Sequence, residues 1–408
     1  MDSLALSVLA LLSSDGSLEV SWQRAFTSEQ NDWINQITAL SDGNYLAVGF
    51  VGRDDEAATP SDWRALVVKF DGSGTEIWKR EHGAGGGVDA YWGARETADG
   101  RIGAGGFTTR IGSGGIDAYV AVLDAKGWIL KENAIGGPGY DRFTDIAGAS
   151  DGGFMLAGFT EVLGAASHRD ILLVKTSATG VEEWRKTYGG PGSDVALYLE
   201  RTSDGGYVLA GGVSATPGAD SDSELLVMKV DAGGRQLWRT VIGAPGTNDV
   251  NHGLALRGNG EVLAVGYTKS WGARDNDLMA VTLSADGAIL RREIFGGADD
   301  DRAMTVSVDD RGHAWLTGYT KSAGAGGRDA FLTRLDSGGA FEGCLSTIGG
   351  PEDDQGTAIL PLDDGDLLLG GYSSNLGGGR EDAFVLRLES PGCAPGNAEF
   401  VRRVVEGS

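Results

Sequence analysis

Apolar positions in this chain come in short runs that alternate with polar ones or are apolar throughout. Turns rich in Gly and Asp cut them, and no useful stretch carries the 3.6-residue period of a helix. The segment from Asp194 shows the pattern. A strand through Leu197-Tyr198-Leu199-Glu200 meets the turn Ser203-Asp204-Gly205-Gly206, and Tyr207-Val208-Leu209-Ala210-Gly211 returns. After a longer Gly/Ser/Asp loop, Leu225 to Val230 and Gln236 to Val241 flank a second turn, Asp231-Ala232-Gly233-Gly234. Asp-Gly between two such runs predicts a tight hairpin with a primed turn, which needs positive φ. Each unit is therefore four short antiparallel strands.

The unit recurs. Seven times a turn residue is followed seven positions later by a glycine that closes the second strand: Asp42/Gly49, Asp99/Gly106, Asp151/Gly158, Asp204/Gly211, Asn259/Gly266, Arg311/Gly318 and Asp364/Gly371. Successive turn positions lie 57, 52, 53, 55, 52 and 53 residues apart. Four strands at this period describe a propeller blade, whereas the coils of a β-solenoid repeat at shorter intervals. The predicted fold is all-β: one seven-bladed β-propeller over residues 1–408, with blades beginning near Asp32, Asp89, Asp141, Asp194, Asp249, Asp301 and Asp354.

Blade seven has only three C-terminal strands, so residues 1–31 should close it. Leu18-Glu19-Val20-Ser21-Trp22 is the simplest outer strand, and it would leave no open edge at the seam. The run from Leu4 to Leu12, and Phe400 to Val405 in the tail 391–408, are then more than closure needs. One of them should add an extra strand or pack outside the ring. Leu4–Leu12 has the length of a signal core, but Asp2 stands in place of the positive flank. It reads better as a strand.

Composition narrows the chemistry. A net charge of −24 disfavours nucleic acid and anionic membranes as partners, and suits cations, basic partners or plain solubility. No run is apolar for the length of a membrane span. Four histidines and two cysteines argue against zinc sites and thiol catalysis. Cys344 falls in the outer strand of blade six and Cys393 after the third strand of blade seven. A Cys344–Cys393 disulfide would brace the closing seam, and two separate buried thiols are the alternative.

The repeated Asp-Gly-Gly-aromatic-x-Leu-Ala-Gly, Asp-x-x-Leu-Val-Lys, Gly-x-x-x-Trp and Gly-Gly-Pro-Gly-x-Asp segments resemble the β-propeller repeats of secreted bacterial proteins, the SBBP type, from about residue 16 to 390. The resemblance implies a propeller in an extracytoplasmic setting and no particular activity. Trp78, Trp184 and Trp238 also resemble the docking tryptophans of quinoprotein propellers, but Lys131, Arg291 and Cys344 replace them elsewhere.

Two loop sets share one face, and each carries an acid per blade. The first ends in the seven blade-opening aspartates; the second ends in Asp62, Asp117, Asp170, Glu224, Asp277, Asp329 and Asp382. These acids either accept hydrogen bonds from their own glycine-rich loops or form a ring that holds cations, Ca²⁺ above all. The clusters Asp299-Asp300-Asp301, Glu352-Asp353-Asp354 and Asp220-Ser221-Asp222 lend the second reading some support. Residues that break the sevenfold pattern near the channel mouth are the candidates for a ligand pocket: Trp33, Trp92, Arg142, His252 and Arg302. His252, Arg142 and Arg302 with neighbouring carboxylates would be the acid–base candidates, and packing and inter-blade pairing are the competing reading. The sequence therefore predicts a monomeric extracytoplasmic binding module for a protein or carbohydrate-like ligand, with an acidic loop face around the channel. The alternatives are a propeller hydrolase or lyase acting on a sugar-like or lactone substrate, and a purely structural repeat.

Overall fold

The computed structural model describes residues 18–26, 30–52, 63–83, 87–163, 168–214, 223–244, 246–273, 275–376, 381–392 and 401–404. They form seven antiparallel sheets arranged as the blades of a propeller. The innermost strands are Asn31–Ala39, Asp89–Glu96, Asp141–Gly148, Asp194–Arg201, Asp249–Leu256, Asp301–Val308 and Asp354–Pro361. Each pairs with the next strand in sequence, and pairing continues outward in chain order.

Closure follows the expectation. Val20–Phe26 runs antiparallel to Asp382–Leu388 and completes blade seven from the N-terminal side. The additional strand also exists: Val401–Val404 pairs with Ile289–Gly296, the outer strand of blade five. Leu4–Leu12, Asp62, Asp220-Ser221-Asp222, Cys393 and Phe400 lie outside the described residues. Cys344 is disulfide-bonded.

The core lies between blades. Val208, Ala210, Leu225 and Val227 of blade four pack on Leu254, Val262, Ala264 and Met279 of blade five. Leu66 and Val68 of blade one meet Leu368 and Val385 of blade seven across the seam in the same way. Each buried aliphatic side chain contributes about 1.5–3 kcal/mol, so every blade is stabilised chiefly by its neighbours. Farther out, the ring of Trp22 lies against Gly74 of the next blade, as do Trp78 on Gly127, Trp184 on Gly234 and Trp238 on Gly287. Trp22 and Trp238 also donate their indole N–H to the carbonyls of Gly72 and Ala285, each at 3.0 Å.

The inner hairpin turns differ from expectation. Gly43 has φ of 80° and its N–H bonds the Leu40 carbonyl at 3.1 Å, while the Leu40 N–H bonds the Asn44 carbonyl at 2.8 Å. Asp42 is not at positive φ, so the turn is a type I turn closed by a left-handed glycine, one residue longer than a primed turn. The carboxylates of these turns are held by third-strand cations: Lys69 on Asp42, Lys175 on Asp151, Lys229 on Asp204 and Arg387 on Asp364.

Candidate functional site

The glycine that ends each second strand has a specific task. Every innermost strand carries a β-bulge three residues after its blade-opening aspartate, where two residues face one on the partner. The second-strand glycine sits against this bulge. A Cβ on Gly49, Gly106, Gly158, Gly211, Gly266, Gly318 or Gly371 would lie 1.8–2.0 Å from the carbonyl oxygen of Trp33, Ala90, Arg142, Val195, Val250, Arg302 or Gln355, respectively. No side chain fits there.

The extra residues are Asn35, Trp92, Thr144, Leu197, His252, Met304 and Thr357, and all seven line a single central cavity of about 500 Å³. That volume is within the range of small-molecule sites. The bulge also shifts the alternation, so residues on both sides of it face the channel. In blade one, Trp33 and Asn35 precede the shift and Gln36 and Thr38 follow it.

The end of the cavity nearest the strand starts is built from aromatics and cations. Trp33 stacks on Tyr372, with centroids 4.4 Å apart, and donates to Glu381 at 2.6 Å. The Arg142 guanidinium lies 4.1 Å over the Trp92 ring and within 6 Å of Phe107 and Phe159. Burial lowers its pKa. His252 stacks on Tyr267 at 5.6 Å, and burial together with the Arg302 charge depresses its pKa to about 4. It is therefore neutral at neutral pH. Arg302 itself does not line the cavity. It is turned onto Tyr267 and Tyr319 and forms a forked pair with Asp300 at 2.8 and 3.1 Å.

Deeper in the channel a polar network joins four blades. Gln36 accepts from the Ala94 N–H at 2.9 Å and from Arg95 at 2.7 Å, and its amide lies 3.5 Å from Asp145. Asp145 accepts from the N–H groups of Ile146 at 2.8 Å and Leu199 at 2.9 Å, while burial pushes its pKa up. Arg95 approaches Glu200 at 4.0 Å. Glu200 keeps 40% of its side-chain surface open to the lumen, yet the narrow channel desolvates its carboxylate and raises the pKa to about 7. Tyr198 donates across the channel to the Met304 carbonyl at 2.9 Å. Asp145, Glu200, Arg95 and Tyr198 were not among the expected site residues. The bulge shifts the phase of the strands that carry them, and the glycine opposite was the available signal.

Of the expected pocket residues, Trp33, Trp92, Arg142 and His252 line the cavity and Arg302 does not, whereas the seven blade-opening aspartates are buried beside the loops. Asp141, Asp194, Asp301 and Asp354 each accept from the N–H four residues earlier, on Gly137, Gly190, Gly297 and Gly350, all at 2.8 Å. Asp249 accepts from Thr247 at 2.8 Å and Ser270 at 2.7 Å, and Asp89 pairs with Arg110 at 3.5 Å. Asp32 is fully buried in the equivalent place. Second-strand hydroxyls reach Asp141, Asp249 and Asp301 from Thr160, Thr268 and Thr320.

In the second loop set, Asp117 accepts from the Ser113 N–H at 3.2 Å and Asp329 from that of Ala325 at 3.1 Å. The proposed calcium cluster is dispersed in the same way. Asp300 is bound to Arg302, Asn276 and Tyr319, Asp353 accepts from the Arg328 N–H at 2.9 Å, and the backbone of Asp299 donates to Ser322 at 3.0 Å. Among the described residues no three His, Cys, Asp or Glu side chains converge as metal ligands.

Among the described residues no helix is long and apolar enough to cross a membrane. No family model and no curated protein matches the chain. Its fold is shared with solved structures. A protein of unknown function from Dyadobacter fermentans aligns over 91% of this chain and 99% of its own, with 11% identity and a TM-score of 0.56. BBS1N, crystallised in complex with ARL6DN, aligns over 93% and 98% with 10% identity and a TM-score of 0.52. At these identities the likeness is one of fold: the chain is a seven-bladed β-propeller.

Proposed function

We propose that this propeller is an extracytoplasmic binding module whose ligand seat is the central cavity rather than its acidic loop face. The observation that carries this reading is the bulge layer. One structural position is repeated seven times, yet it delivers seven residues of six different types to one cavity. Purely structural repetition gives no reason for such variety at a lumen-facing position. The disulfide at Cys344 and the resemblance to secreted bacterial propeller repeats support the oxidising setting.

The test is a small-molecule screen by thermal shift and tryptophan fluorescence. A ligand present at 100 times its dissociation constant should add about 2.7 kcal/mol of stability. Its effect should disappear in Leu197→Trp, which fills the lumen. Ligands that bind this variant undiminished would exclude the cavity as their seat. Calcium enters only as a rim stabiliser. Unchanged melting in Ca²⁺ and in chelator would remove it.

A second reading, a hydrolase or lyase acting on a sugar-like substrate, draws on Glu200. A lumen-facing carboxyl that titrates near neutrality beside Asp145 and Arg95 is suited to proton transfer. Turnover that vanishes in Glu200→Gln while binding persists would favour it.

A further inference from the structure

We infer that the channel mouth binds a small organic carboxylate, with Arg142 as its counter-ion and with Trp92 and Trp33 lining the seat for a flat ring. This rests on the cavity being the ligand seat. Arg142 and Arg302 occupy the same place, one residue after the blade-opening aspartate, in blades three and six. In blade six the residue before that aspartate is Asp300, which forks onto Arg302 and neutralises it. In blade three the residue there is Tyr140.

Arg142 consequently has no carboxylate partner among the described residues. What surrounds it is aromatic: Trp92, Phe107 and Phe159, with the Tyr140 hydroxyl as its one favourable polar neighbour and the charge of Arg169 opposing its own. Cation–π contact offsets part of the cost of desolvating a guanidinium but supplies no acceptor for its N–H groups. The Nε of Arg142 and the indole Nε1 of Trp92 are both buried without an acceptor among the described residues. Two buried donors without an acceptor, one of them on a charged group, thus belong to side chains that line the same cavity. Buried donors normally find partners, and an oxyanion would satisfy both.

The wider charge selects the kind of anion. The chain carries −24, and Asp145 and Glu200 stand deeper in the same lumen. A monoanionic carboxylate meets less repulsion there than a phosphate dianion. Trp33 and Trp92 line the same cavity, so the rest of the ligand should present a flat face, either the apolar face of a sugar acid or an aromatic ring.

Calorimetry and tryptophan quenching on the full chain test this with glucuronate and galacturonate in one arm and indole-3-acetate and benzoate in the other. Their methyl esters and inorganic phosphate serve as controls. At least one acid should bind more than tenfold tighter than its ester. Arg142→Gln should abolish that preference and Arg142→Lys should restore part of it. Tyr140→Asp, which gives Arg142 the partner that Arg302 already has, should suppress acid binding while raising the melting temperature. It also serves if Arg142→Gln folds poorly. Esters that bind as well as acids, or acids that bind Tyr140→Asp undiminished, would overturn the carboxylate assignment and leave the cavity as a seat for neutral ligands. Phosphate as the tightest binder would overturn it too. If no compound of either kind binds, the cavity reading falls with it.

Discussion

The blade-opening aspartates and the bulge layer lie a few residues apart on the same seven strands, and they use repetition in opposite ways. In the aspartate layer the residue is constant and its surroundings are closed: a buried carboxylate holds its own glycine-rich loop. In the bulge layer the backbone is constant and the residue changes from blade to blade, facing an open cavity. A side chain repeated in every blade is thus scaffold here. A repeated backbone position with a free choice of side chain is where specificity can be written.

The comparison breaks most visibly at the glycine behind the bulge. Gly266→Ala places a Cβ 1.9 Å from the Val250 carbonyl oxygen, with the Val250 carbonyl carbon at 2.9 Å and Asn251 Cα at 3.0 Å. A loss of more than about 3 kcal/mol, or failure to fold, is expected in denaturant melts. Gly148→Ala, where nothing lies within 4 Å, should stay within about 0.5 kcal/mol and controls for the substitution itself. If both changes cost the same, the bulge does not need its glycine.

Removing an aspartate should cost less. Asp301→Ala leaves the Gly297 N–H and two hydroxyls without their acceptor and should lose about 1–3 kcal/mol. In the bulge layer, His252 makes no hydrogen bond among the described residues, so His252→Gln should change stability by less than about 1 kcal/mol. A His252 variant as damaging as the aspartate variant would erase the distinction between the layers.

The effects of pH have opposite signs in the two groups. Glu200 binds its proton more tightly in the folded protein, with a pKa of about 7 against 4.5, so its contribution is present at low pH and lost as pH rises between those values. His252 holds its proton less tightly, about 4 against 6.5, so its contribution is present above 6.5 and lost as pH falls toward 4. Melts of Glu200→Gln and His252→Gln across pH 4–7.5, each against the parent, should therefore deviate in opposite directions. Deviations of the same sign would contradict the burial assigned to one of the two groups.

Much of this was legible in the sequence, for reasons that also explain what was not. Alternation and turn residues report local backbone, so blade number, strand order and the N-terminal closing strand followed from them. The same glycines that marked strand ends also marked the bulges. However, a bulge is a property of two paired strands, and one strand read alone keeps its phase. Phase errors then hid Asp145 and Glu200, which face the lumen only because alternation slips at Thr144 and Leu197. Arg302 was expected at the mouth and is held away from it by Asp300, two residues before it in the chain. Nothing in Val401–Val404 reveals that its partner is blade five, because the open outer edges of several blades offer similar backbone to a short strand.

That last strand has a mechanical consequence. Val20–Phe26 closes blade seven and Val401–Val404 lies on blade five, so a pulling force applied through these two strands loads different sheets. Four paired residues hold the second, while the first is a seven-residue strand in the closing blade. Under tension the C-terminal strand should detach first, leaving the closed ring intact, and a second, larger force should be needed to open the seam. The tail would then act as a fuse that yields before the cavity deforms.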